Sequence, residues 1–317
     1  MENQKAMPAV NAYAAEAVEY RHYLHAHPEP SYEEHATQQY ITERLRGMGI
    51  EPHPIADTGV TALIAGTGSG AEDKVLLLRA DIDALRLTEE TGLSFASQNP
   101  GVMHACGHDG HTATLLAVAH WLVDHKDAFG GKVKLIFQPA EELSPGGAEP
   151  CVKEGILRDP QVTFVFGMHL WNSLPFGQVG LRAGPLLAEA DRFELTITGK
   201  GTHAAQPNLG ADPIVAASHV VTALQTIVSR ETNPLDALVV TIGTIEGGSA
   251  FNIIPESVHM TGTLRALSRE SAKRGAASLD RIATHTAEAL GTHATLDYEF
   301  GYPPVINSAD SVAFLRP

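Results

Sequence analysis

Val75-Leu-Leu-Leu-Arg-Ala-Asp81-Ile-Asp83 is an apolar run of strand length that ends in two carboxylates, and the segments on either side of it alternate between helical and strand patterns. Upstream, helical periodicity runs from about Ala9 to His25 and stops at Pro28. It resumes after Ser31, which with Glu34 forms a capping-box pattern, and ends at Gly47 and Gly49. A strand follows at Thr61 to Ala65. Downstream, Leu115, Leu116, Val118, Ala119, Leu122 and Val123 predict a long helix from about His108 to Asp127. Strands at Val133 to Gln138 and Thr163 to Met168 bracket a further short helix. Such alternation predicts an α/β domain with a mostly parallel sheet and helices on both faces.

A second pattern begins near Arg192. Strand 192–198, helix 213–229, strand 237–245, strand 257–266, helix 269–290 and strand 293–300 give the order β-α-β-β-α-β, the ferredoxin-like arrangement. Gly247-Gly248 and Pro255 punctuate its central hairpin. No internal repeat or low-complexity tract interrupts the chain.

Composition narrows the function classes. The 317 residues suit two domains, each able to bury a core. A formal net charge of -15 argues against nucleic-acid and anionic-membrane partners, which would be repelled. No apolar run is long enough to span a bilayer, and Glu2, Glu16 and Glu19 interrupt the first twenty residues, so the expected location is the cytoplasm. In that compartment Cys106 and Cys151 are expected as two thiols. Cys151, at helical spacing with Ala148, Val152 and Ile156, reads as a small core residue.

The chemistry-bearing residues cluster just past strand ends, where open α/β sheets place their sites. Asp81 and Asp83 follow the first strand quoted, Glu141 and Glu142 follow 133–138, and His169 follows 163–168, while Cys106 and His108 lie in the loop entering the long helix. Thiolate, imidazole and carboxylate are ligand types for zinc, manganese, cobalt or nickel. Residues 106 and 108 point the same way in an extended loop. Residues 141 and 142 point apart, so one can bind metal while the other takes a proton from metal-bound water. Each residue alone has a plainer reading: Glu141-Glu142 as a solvated loop, Asp81 and Asp83 as turn caps, and His104, His111 and His169 as locally hydrogen-bonded histidines. A Cys106 nucleophile activated by His108 is a second enzymatic alternative, but it leaves both glutamates unexplained.

Taken in order, Arg21-His22-x-Leu24-His25-x-x-Pro28-Glu29, Leu78-Arg-Ala-Asp81-Ile-Asp83-Ala-Leu85, Met103-His-Ala-Cys106-Gly-His108-Asp-Gly-His111, Gln138-Pro-Ala-Glu141-Glu142 and Gly167-Met-His169 resemble the amidohydrolase branch of the aminoacylase and carboxypeptidase metallohydrolases. The resemblance covers essentially the whole chain. It implies a two-metal catalytic domain (1–184) interrupted by a lid and dimerisation domain (185–296), with a return at 297–317. It further implies Cys106, His108, Glu142 and His169 as metal ligands, Glu141 as general base, and Asp83 as an orienting residue. Asp81 stands where more distant relatives carry a histidine ligand. In the lid, His203 within Gly199-Lys-Gly-Thr-His203-Ala-Ala-Gln-Pro207 matches a histidine that reaches a neighbouring subunit's site to stabilise the oxyanion, and Asn252 and Arg265 match residues that hold the substrate carboxylate. The implied reaction is hydrolysis of N-acyl amino acids or similar conjugates by a homodimer.

Two departures from the family pattern stand out. Arg86 occupies a position where proline is usual, next to the loop that supports the site. Relatives also continue for several tens of residues past the position of Pro317 and supply a last histidine ligand there. Either a fragment of a longer enzyme or a shortened product is compatible with this. A shortened product is expected to be poorly active, with an unfinished sheet edge, or to be a dimeric binding protein that has lost catalysis.

Overall fold

A computed structural model describes residues 7–316, so the first six residues of the expected catalytic domain and Pro317 lie outside the described residues. The chain divides between Pro175 and Phe176 into two compact units.

The first unit holds helices α1 (Met7–Ala26) and α2 (His35–Gly47), then strands β1 (Pro52–Ile55), β2 (Gly59–Ala65) and β3 (Val75–Asp81). Helix α3 (His108–Asp124), strand β4 (Lys132–Gln138), helix α4 (Ala148–Lys153) and strand β5 (Phe164–Gly167) complete it. The sheet order is β1-β2-β4-β3-β5. It is mixed rather than mostly parallel: β4, β3 and β5 run parallel, whereas β2 pairs antiparallel with β4 and with β1. The unforeseen strand β1 contains Pro52 and Pro54, which lack an N–H and are tolerated because β1 is an edge strand.

Period-two alternation sends the side chains of β4 to two cores. Leu135 and Phe137 pack with Leu24, Ile41, Leu45 and Leu116 from the three long helices. Ile136 faces the other way, onto Leu77, Ile156 and Cys151. Cys151 and Cys106 are both free thiols, and burial, followed by the charge of Glu154, pushes the Cys151 thiol up to about 12.

The start of α2 corrects the capping-box reading. Neither Ser31 nor Glu34 caps the helix through its side chain. Glu29 does so, accepting from the amides of Ala36 (3.1 Å) and Thr37 (2.7 Å) and from the Thr37 hydroxyl (2.8 Å). Ser31 and Glu34 are thereby released for the interior, where both support the site described below.

The second unit carries β6 (Gly184–Leu187), β7 (Glu189–Thr198), β8 (Thr202–His203), α5 (Pro213–Thr226), β9 (Leu238–Gly247), β10 (Ile253–Ile254), β11 (Ser257–Ala266), α6 (Arg269–Ala289), β12 (His293–Glu299), β13 (Val305–Asn307) and α7 (Ala309–Leu315). Its main sheet has the order β12-β7-β11-β9 and is antiparallel throughout. Phe193, Leu195 and Ile197 of β7 and Met260 and Leu264 of β11 pack on Ala216, Val220 and Leu224 of α5 and on Ala272, Leu279 and Ala283 of α6. Small residues on the helices let them lie close to the sheet. Asp212 caps α5 and Ser268 caps α6 through their side chains.

The two roles at the start of α2 are separable. Glu29→Ala is expected to lower unfolding free energy by about 1 kcal/mol in urea titration, whereas Ser31→Ala should leave the far-ultraviolet helical signal of α2 intact. A larger helical loss from Ser31→Ala than from Glu29→Ala would restore the capping box.

Candidate metal centre

Because β4, β3 and β5 are parallel and adjacent, their C-terminal ends share one edge of the sheet. Asp81 pairs with Gln138, and Arg79 with Gly167. The chain leaving β3 reaches Asp83, that leaving β4 reaches Glu141 and Glu142, and that leaving β5 reaches His169. Gly107, at φ 90°, turns the chain into α3 at His108 in a left-handed conformation that suits glycine.

The side chains converge. His108 Nδ1 donates to the Asp83 carbonyl at 2.9 Å, with Asp83 Oδ1 at 3.3 Å, which leaves Nε2 free to act. That Nε2 lies 3.7 Å from Glu142 Oε1 and 3.6 Å from Asp81 Oδ2. His169 Nδ1 donates to the Leu170 carbonyl at 2.6 Å, turning its own Nε2 to 3.5 Å from Cys106 Sγ. Donor atoms of Cys106, His108 and His169, and likewise of His108, Glu141 and Glu142, lie within 4.8 Å of one another. His108 Nε2 and Glu142 Oε1 are buried without a hydrogen-bond partner. Orphaned lone-pair donors facing one gap, each histidine anchored by its other nitrogen, are the chemistry of a cation site. The residues fit divalent metal.

Asp83 organises this arrangement. Besides His108, its Oδ2 accepts from the Ser31 hydroxyl at 2.6 Å and from the Glu142 amide at 2.9 Å. Glu34, fully buried, accepts from the Ala140 amide at 2.7 Å and from the Thr58 hydroxyl at 2.6 Å. It thus pins Ala140, held at φ 48°, immediately before the paired glutamates. Sequence reasoning missed both supporting roles because Ser31 and Glu34 have the spacing of a helix cap. Only the tertiary fold shows that they face inward.

The other flagged residues are also placed. Both nitrogens of His111 are used. His104 does not find the local partners expected of it, since both its ring nitrogens are buried and unsatisfied. Arg86 turns to Glu33 in an exposed ion pair at 2.5 Å, so it leaves the supporting loop alone. In the second unit, exposed His203 pairs across β8 and β10 with Ile253, and the Ala204 amide donates to the Asn252 carbonyl at 3.0 Å. His203 Nδ1 accepts from the Ala205 amide at 3.1 Å, which leaves Nε2–H as an outward donor. Arg265 sits near the other end of β11, on the order of 25 Å along the strand from its Ser257 end. Asn252 and Arg265 are therefore not brought together within this unit.

Charge is distributed as a metal site requires. Burial raises the Glu141 carboxyl, as do the neighbouring Asp81 and Glu142. Burial works against ionisation of Asp81 too, but the His111 hydrogen bond and the charges of Arg79 and His108 hold it far below the usual carboxylate range. Burial works against the charged form of His108, but its hydrogen bond to Asp83 and the charges of Asp81 and Asp83 raise it to about 11.

The conserved peptidase family M20/M25/M40 profile matches residues 77–316, about three quarters of the chain. This chain belongs to the M20 family. Among M20 relatives, it is 42% identical over 297 residues to N-acetyl-L-cysteine deacetylase of Bacillus subtilis, covering 93% of this chain and 70% of the relative. It is 41% identical over 299 residues to N-acyl-L-amino acid amidohydrolase of Geobacillus stearothermophilus, covering 94% and 80%. A dinuclear metal-binding M20 peptidase from Bacillus subtilis superposes with a TM-score of 0.80 at 35% identity, covering 96% of this chain and 78% of that one. The M20 assignment makes the protein a metal-dependent hydrolase.

His104 gives this M20 chain a characteristic acid response. Burial first, with the charges of His108 and His25 also opposing protonation, lowers its pKa to about 4 from 6.5. Between those values the unfolded chain binds a proton that the folded chain refuses. Stability therefore falls as pH drops from about 6.5 to about 4, by a few kcal/mol on the order-of-magnitude scale of the linkage relation. His104→Leu is expected to flatten that limb in metal-free denaturation curves. An unchanged slope would mean His104 is protonated or solvated in the folded state.

Proposed function

We propose that the protein hydrolyses the amide of N-acyl amino acids or similar conjugates, releasing an amino acid and a carboxylic acid. The observation that carries this reading is the pairing of an orphaned donor set, His108 Nε2 and Glu142 Oε1, with a neighbouring carboxyl, Glu141, whose pKa is raised. The names of the M20 relatives, an N-acyl-L-amino acid amidohydrolase and an N-acetyl-L-cysteine deacetylase, supply the substrate class. No described helix is long and apolar enough to cross a membrane.

Cys106, His108, Glu142 and His169 would hold two divalent ions, a pair suggested by the dinuclear relative. When bound, such ions polarise the acyl carbonyl and acidify water. Glu141 takes a proton from the attacking water and returns it to the departing amine, a task suited to a carboxyl whose pKa has been moved toward neutrality. Asp83 holds His108 and the Glu142 backbone in place while this happens.

The division into a catalytic domain (1–184), a ferredoxin-like lid (185–296) and a short return (297–317) belongs to the same proposal. In a homodimer formed through the lid, His203 Nε2–H is a suitable donor to the oxyanion of the partner subunit. Asn252 and Arg265 hold the substrate's free carboxylate, Arg265 through its two-pronged guanidinium. Their separation, with Asn252 ahead of the Ser257 end of β11 and Arg265 near its other end, favours one contribution from each copy.

Glu141→Ala is expected to retain metal while losing turnover of N-acetyl amino acids by at least about 10²-fold. Wild-type turnover in the variant would remove Glu141 from its role. Failure of the metal-loaded wild type on a panel of N-acyl amino acids would overturn the substrate class.

A further inference from the structure

His111 has the residue type and burial of a metal ligand, at 7% exposure, and its donor atom clusters with those of Asp81 and His108. Its hydrogen bonds assign it different work. Nε2 accepts from the Leu170 amide at 2.8 Å, and an amide N–H can only donate, so Nε2 carries no proton and its lone pair is occupied. The ring proton therefore sits on Nδ1, which donates to Asp81 Oδ1 at 2.6 Å. Asp81 is fixed in turn by Arg79, whose Nη1 reaches Oδ2 at 2.8 Å, and by the Thr112 hydroxyl, which donates to the Asp81 carbonyl at 2.9 Å.

Leu170 directly follows His169, and its carbonyl is the acceptor that orients the His169 ring. The His111 and His169 rings meet edge to face with centroids 4.8 Å apart. Leu170 is thus held through both of its backbone groups, its carbonyl by the His169 ring and its amide by His111.

Resting on the metal-hydrolase reading above, we propose that His111, locked in one tautomer by Asp81, is a positioning residue that clamps the Leu170 amide and so aims His169 Nε2 at the site of Cys106. Asp81 then acts through its hydrogen bond to His111, and the carboxylate at this position serves the geometry of a ligand instead of being one.

The test uses the whole chain, metal-free, titrated with Co²⁺ and followed by the absorption of the Cys106 thiolate bound to cobalt, alongside amide hydrogen exchange at Leu170 before metal is added. His111→Phe, which deletes the acceptor, is expected to speed Leu170 exchange and to weaken the cobalt–thiolate signal about 10- to 100-fold in affinity. His111→Gln, whose side-chain carbonyl can accept the same amide, should recover most of both. If His111→Phe loses its native circular dichroism, His111→Ala takes its place. Equal damage by Gln and Phe, with Leu170 exchange unchanged, would make His111 a ligand and overturn the proposal. Wild-type cobalt affinity in His111→Phe would overturn it while leaving the hydrolase reading intact, whereas a wild type that binds no cobalt would sink both.

Discussion

Parallel pairing of three short strands is the constraint on which the rest depends. Only because β4, β3 and β5 run in one direction do the three loops after Asp81, Gln138 and Gly167 leave from a common edge. Reversing any one of them would send its carboxylates or histidine to the opposite end of the sheet. The antiparallel strands β1 and β2 extend the sheet on one side and carry none of the donors. Two-sided burial of the central strands, through Leu135 and Phe137 on one face and Ile136 and Leu77 on the other, holds this edge rigid.

On that edge the protein tolerates what a purely structural core would avoid. His108 Nε2, Glu142 Oε1 and both nitrogens of His104 are buried without partners, a state that costs free energy wherever it occurs. Around them lies a well-satisfied shell: Asp83 with three different donors, Glu34 with two, Asp81 with His111 and Arg79. The supporting carboxylates of Asp83, Glu34 and Asp81 have partners, whereas His108 Nε2 and Glu142 Oε1, which face the gap, do not. That contrast marks the gap as a place for a cation.

Much of this was legible in the residues. Long periodic helices such as α3 and the apolar strands β3 and β4 announce themselves, because burial on one or two faces imposes a period on the sequence. The ligand-type residues were visible as recurrences just past strand ends. What stayed hidden was tertiary. Pro52 and Pro54 disguised an edge strand, so the sheet read as more parallel than it is. Ser31 and Glu34 matched a local cap so well that their long-range contacts to Asp83 and Ala140 left no trace in the pattern. The histidines could not be sorted by type either. His104, His108 and His111 share one short motif, and only their partners separate an orphan, a donor toward the gap and a clamp.

Helix α3 carries one further consequence. A Cβ on Gly110 would stand 2.6 Å from Leu170 Cδ1, and one on Gly107 3.3 Å from the same atom. The backbone of the helix entrance is therefore moulded around a single leucine side chain, whose own peptide steers His169. Mutational drift at these places is tied together: a bulkier residue at 110 requires the Leu170 side chain to swing aside or position 170 to give up volume, so the two are expected to change in concert as such enzymes diverge.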